Sequence, residues 1–204
     1  MNLLNYTLKK GKSSEVTVVF IHGFLESKSM WNNFSFENFS FDSILVDLPG
    51  HGLSPNEDED EPSIEFFSYK LKELIVALKL TKVSIVGHSM GGYVALNFKH
   101  VFPHICNKLI LLNSNFWTDS ELKKRDRLRV VDIVNKNKSI FINEAIPNLF
   151  VNKDLHEHEI QELIKEANEI DAVNISYASL AMRNRKDYKN LLEINFKDIY
   201  ILQG

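Results

Sequence analysis

The chain has a single cysteine, Cys106, in 204 residues. One cysteine excludes an internal disulfide and any metal site built from several thiolates. It fits a reducing compartment. Long apolar runs are also missing, and none approaches the roughly 18 residues of a membrane span. The opening segment, MNLLNYTLKKGK, lacks the apolar core of a secretory signal. The expectation is therefore a soluble, cytoplasmic protein with no membrane partner. Nor is there a surplus of positive charge. The 24 Lys and Arg stand against 27 Asp and Glu, for a net charge of -3. Nucleic-acid binders usually carry a basic surface, so no nucleic-acid partner is expected. What is present is ordinary globular composition. The chain is 44% hydrophobic and 11% aromatic, enough for a real core and against disorder.

The first half alternates short β-branched runs with helical spacing. Buried strands are expected at EVTVVFIHG (Glu15 to Ile21), at DSILVDLPG (centred on Ile44 to Asp47), at KVSIVGHS and at NKLILLNS. Such near-continuous apolar strands, separated by helices, predict an α/β fold with a mostly parallel sheet. Leu4 to Lys9, followed by KGKSS, reads as an edge strand and turn. Ser63 can cap a helix whose Ile64, Phe67, Leu71, Leu74 and Leu78 form one stripe. A further helix is expected from Ser89 to about Val101, ending before Pro103.

Beyond Ser114 the strand pattern stops and helical spacing takes over until KDIYILQG. This divides the chain into a core over residues 1–113, a helical insertion over 114–186, and a return to the core over 187–204. Strand ends are where such sheets bind ligands, so the insertion is expected to cap a site. The acidic run NEDEDEP, Asn56 to Pro62, reads as a solvated loop rather than a metal site.

One stretch carries chemistry. VSIVGHSMGG holds G-x-S-x-G between an apolar strand and a helix. That context predicts a sharp turn presenting Ser89 as a nucleophile at the start of a helix. Gly87 and Gly91 leave room where a Cβ would collide with the turn. The N–H of Met90, at the positive helix end, favours an oxyanion nearby.

HGF (His22, Gly23, Phe24) ends the first buried strand, and DLPGHGLS (Asp47 to Ser54) ends the second. Together with GHSMGG, in this order, they closely resemble the α/β-hydrolase family of esterases, lipases and related acyl-transfer enzymes. The resemblance implies that the Phe24 and Met90 N–H groups form an oxyanion hole. It gives His22, Gly23, His88, Gly87 and Gly91 supporting places around it. It implies a small acyl substrate and no metal or organic cofactor. Trp31 is expected to pack on the helix after the oxyanion loop.

In the family the chain order is serine, acid, histidine, with the acid after the strand that follows the cap. Here that strand is IYILQG, at the end of the sequence. No triad acid or histidine is therefore expected within these residues, and the fold is expected to be C-terminally truncated. His88 adjoins the serine, and side chains of adjacent residues on a tight turn are expected to point apart. His100 and His104 flank the end of the helix after Ser89. His156 and His158 read as an exposed helix start. Asn113 and Asn115 hold the positions of an alternative acid without its charge. Asp119 lies slightly further on, and Glu26 and Asp47 read as loop residues. Residues 198–202 would form an open sheet edge, so self-association or complementation by a separate segment is expected there.

The reading is a serine hydrolase of small carboxylic esters, impaired in this chain. The alternatives are a menaquinone-synthase-like lyase or carbon–carbon bond hydrolase on the same site, and a non-catalytic ligand-binding protein.

Overall fold

Six strands, in the spatial order β1-β3-β2-β4-β5-β6, make one sheet in the computed structural model, which describes residues 2–12, 16–55 and 61–204. They are β1 (Tyr6–Lys9), β2 (Thr17–Ile21), β3 (Asp42–Val46), β4 (Val83–His88), β5 (Cys106–Leu112) and β6 (Ile199–Leu202). Only β1 runs antiparallel, against β3; the other neighbours are parallel. The four expected inner strands are all present. Glu15 and most of the acidic run, residues 56–60, lie outside the described residues.

The strands are near-continuously apolar because both faces are covered. On one face, Val19, Ile21, Ile85, Leu109 and Leu111 join α1 (Ile64–Ala77) and α2 (Met90–Val101) in the main core. Ser63 caps α1 as its sequence suggests, accepting the Phe66 N–H at 3.2 Å. The second face is built differently. Val18, Phe20, Leu45 and Val86 pack against Trp31 and Phe36, and this cluster draws on no described α-helical residue. Two short 3-10 turns and a run of rings from Phe34 to Phe41 cover that face instead.

Between β5 and β6 the chain is helical: α3 (Glu121–Ala145), α4 (Glu157–Glu169) and α5 (Ala172–Asn184), followed by the short α6 (Lys189–Ile194). Val134, Ile142, Ile160, Ile164 and Ile175 form a separate apolar cluster with Leu25. That cluster sets the helices against the loop after β2. Among the described residues no helix is long and apolar enough to cross a membrane. β6 is an edge strand whose Tyr200, Ile201 and Leu202 are exposed.

The parallel strands bring their C-terminal ends to one rim of the sheet. The loops after β2, β3, β4 and β5 meet there, with the helical segment beside them.

Candidate active site

Ser89 lies between β4 and α2, on the turn its flanking sequence predicts. Its backbone is at φ 48°, ψ −112°, a region that side chains other than glycine rarely adopt. Three hydrogen bonds hold it there. Its N–H donates to Leu112 O at 3.0 Å, and its carbonyl accepts from Gly92 N at 3.0 Å and from Ser114 Oγ at 2.7 Å. The turn is tight because its glycines touch backbone. A Cβ on Gly87 would lie 2.4 Å from Gly91 O, and one on Gly91 would lie 2.6 Å from both Ile21 O and His22 O.

Ser89 stands at the N-cap of α2, yet its side chain makes no capping hydrogen bond. A serine in that place normally spends its oxygen on the helix N–H groups. Here the oxygen is left free, and Ser89 lines a cavity of about 600 Å³. The loop after β2 and Asn113 form one wall. Val130, Phe141, Phe150 and Leu163 of the helical segment form the other, which is apolar. Neither the Phe24 N–H nor the Met90 N–H donates to a described residue. Both donors stay available next to the turn. A second depression, of about 640 Å³, lies over Lys28 and Asp47; its walls are mostly polar and exclude Ser89.

His88 and Ser89 do not part as expected: both line the cavity. Alternation of side chains holds along a strand and fails where the backbone turns through positive φ. Glu26, read from sequence as a mere loop residue, is built into the site. Its Oε2 accepts the Gly23 N–H at 2.6 Å and the His88 Nδ1–H at 2.9 Å. Gly23 is wedged among them. A Cβ there would lie 2.6 Å from Glu26 Oε2, 2.9 Å from His88 Nδ1 and 3.2 Å from Ser89 Cβ. Glu26 thus ties the loop that carries Phe24 to the turn that carries Ser89.

The other expected residues fall as follows. Trp31 is buried against Phe20. Asp47 is buried, and takes Lys28 Nζ at 2.6 Å and the Leu53 N–H at 3.0 Å. His156 and His158 are exposed on α4 and its N-terminus, and neither lines the cavity. Asn113 lines it; Asn115 hydrogen-bonds Tyr93 instead. Asp119 is buried in ion pairs with Arg185 at 2.8 Å and Arg127 at 3.1 Å. Burial alone would raise its pKa, but the two guanidinium groups outweigh that and hold it below the ordinary carboxylate value. Sequence reading passed over Arg127, which lines the cavity. Its signal was a charge on an apolar stripe, three residues before Val130 and seven before Val134.

His22 and His51 are buried, with ring centroids 5.2 Å apart. His22 accepts the Leu48 N–H at Nε2 (3.0 Å) and donates from Nδ1 to Gly23 O (2.7 Å). Only the neutral ring satisfies both. Burial lowers both pKa values, and for His22 the neighbouring His51 lowers it further. The unfolded chain therefore takes up protons first. The stability these two rings provide is whole above about pH 6.5 and is lost as pH falls below it, at up to about 1.4 kcal/mol per unit for each ring. Urea midpoints measured from pH 7.5 to 5 should fall, and His22→Gln with His51→Gln should flatten that fall. An equal slope in the double variant would remove these rings as its cause.

Comparison with known proteins agrees with this fold. A family model described as alpha/beta hydrolase fold matches residues 16–132. A thermophilic esterase from Thermogutta terrifontis superposes with a TM-score of 0.87 at 25% identity, over 98% of this chain and 74% of that one. The sn-1-specific diacylglycerol lipase ABHD11 of Mus musculus is 26% identical over 80% of this chain and 52% of its own. A human serine hydrolase-like protein is 34% identical over 48% of this chain and 49% of its own. The matched segments span between 24% and 52% of the curated relatives.

Proposed function

The chain belongs to the α/β-hydrolase fold family, and from that premise we propose that it is a serine hydrolase acting on a small carboxylic ester or related acyl substrate. One observation carries the reading. Ser89 is held in a disfavoured backbone conformation with its hydroxyl uncapped and facing a cavity, beside two unspent N–H donors. An N-cap serine kept from its usual partner is free to react with something else. The likeness to an esterase and a lipase supports the same chemistry.

In this reading Ser89 Oγ attacks the substrate carbonyl carbon and gives up its proton to a base. The oxygen that gains the charge is met by the Phe24 and Met90 N–H groups. Collapse of the tetrahedral species expels the alcohol and leaves an acyl-serine. Water attacks that ester, releasing the acid and restoring the hydroxyl. The helices over Ser89 act as a cap that keeps the acyl pocket dry. No described residue hydrogen-bonds the Ser89 hydroxyl; His88, its Nδ1 held by Glu26, lines the same cavity but makes no hydrogen bond to that oxygen. The reading therefore takes the base and its orienting acid from outside these residues. Turnover by the 204-residue chain is then expected to be slow, on the order of the 10³–10⁴-fold over water that an oxyanion hole and binding alone sustain.

Intact-protein mass spectrometry after incubation with p-nitrophenyl acetate tests this. One acetyl adduct should form, map to the peptide holding Ser89, and vanish in Ser89→Ala. An adduct that persists in Ser89→Ala, or no adduct at all, rejects the reading.

A further inference from the structure

Asp119, Arg127 and Arg185 make an unbalanced cluster of one carboxylate between two guanidinium groups. Asp119 and Arg185 have side chains only 2% exposed. Every nitrogen of Arg185 is engaged: Nη2 donates to Asp119 Oδ1 (2.8 Å), Nε to Trp117 O (3.1 Å) and Nη1 to Met182 O (2.8 Å), and its Cζ lies 4.1 Å from the centre of the Tyr93 ring. Arg127 is not. Its Nε donates to Asp119 Oδ2 at 3.1 Å, and neither terminal nitrogen meets a described residue. The charge left over in the cluster is thus presented at Arg127, the member that lines the Ser89 cavity.

The rest of that cavity sharpens the point. Its helical wall is apolar around Arg127, so water there screens the guanidinium weakly. The carboxylate in the lining, Glu26, has its Oε2 occupied by the Gly23 N–H and the His88 ring. The two free Nη groups form a planar fork, the shape that pairs with a carboxylate through two parallel hydrogen bonds. Asp119 fixes the other edge of the guanidinium, so little side-chain freedom remains to be lost on binding.

We propose that Arg127 recognises a carboxylate at the far end of the acyl chain, making hemiesters of short dicarboxylic acids the substrate class of this site. The reacting end of that substrate rests on the Ser89 reading; the charged end rests on Arg127 alone.

Binding without turnover separates the two. The probes are the monoamides of succinic, glutaric and adipic acid, each compared by calorimetry with the neutral diamide of the same length. At one length or more the monoamide should bind about tenfold tighter or better, as a charged hydrogen-bonded pair predicts. Arg127→Gln should erase that preference, while Arg127→Lys should keep part of it. Arg129→Gln is the control: Arg129 sits on the same helix, paired with Asp126, with its side chain 70% exposed. It should keep the full preference. Equal binding of monoamide and diamide at every length, including no measurable binding of either, overturns the proposal. So does a preference that survives Arg127→Gln. A preference for the monoamide with no acetyl adduct on Ser89 would keep this inference and remove the hydrolase. The adduct with no preference would do the reverse.

Discussion

Asp119→Asn should destabilise the fold by about 3–5 kcal/mol, the usual loss when one member of a buried ion pair is removed. The substitution is nearly isosteric, so no cavity opens. What changes is charge. Arg185 keeps its guanidinium, buried to 2% exposure, with its only carboxylate gone. The carbonyl oxygens of Trp117 and Met182 solvate that charge only in part. Replacing both partners tells the same story from the other side. Asp119→Leu with Arg185→Met should cost less than the single change, because the charge then left without its carboxylate is that of Arg127, 22% exposed and facing a cavity, and no longer the buried Arg185. Urea unfolding reads both, and the midpoint should move while the slope does not. A single-variant loss below about 1 kcal/mol would mean that solvent reaches Arg185 after all. Acid should mimic the variant. The depressed pKa of Asp119 makes its contribution whole above about pH 4 and lost as pH falls through the folded value.

Gly91→Ala should be nearly as damaging. The added carbon would lie 2.6 Å from two carbonyl oxygens and 2.9 Å from a carbonyl carbon. These belong to Ile21, the last residue of β2, and to His22 just beyond it. Backbone at the centre of a sheet cannot swing aside as a side chain can. Either α2 lifts from the sheet or β2 shifts in its register. Overpacking of this kind costs about 1–3 kcal/mol, and more where the neighbours are rigid. Protein that still folds should also lose the acetyl adduct on Ser89, since lifting α2 moves the Met90 N–H. A melting temperature like that of the parent would show that α2 does not press on β2 this closely.

Much of this architecture was legible from local chemistry. The inner strands declare themselves because both sheet faces are buried, so their residues are apolar without alternation. Ser63 and Pro103 mark helix limits for reasons that act within a few residues. The turn at Ser89 is legible because glycines on either side leave few other conformations. What was not legible depends on distant parts of the chain meeting. Glu26 and His88 are 62 residues apart, and their contact follows from β2 and β4 being neighbours in register. Arg127 and Asp119 are close in sequence, but their partner Arg185 is 66 residues from Asp119. The break in α3 lies between these cases. Asn137 leaves helical geometry at φ −158°, ψ 90°, and its Oδ1 accepts the Ile140 N–H at 3.1 Å, starting the helix afresh. Asparagine is a good capping residue.

The backbone at Ser89 has a wider meaning. A residue with a Cβ held at that φ and ψ costs about 1–3 kcal/mol, and glycine would adopt the same turn without strain. Folding alone gives a serine no advantage there over a glycine. The three hydrogen bonds that hold the position are all made by its backbone, and they would survive the exchange. A lineage free to trade use for robustness would drift to glycine at this position, and the molecule would be the sturdier for it. Under the proposed reading, the serine is a defect that the fold tolerates for the sake of a reaction, which a structure as such does not need.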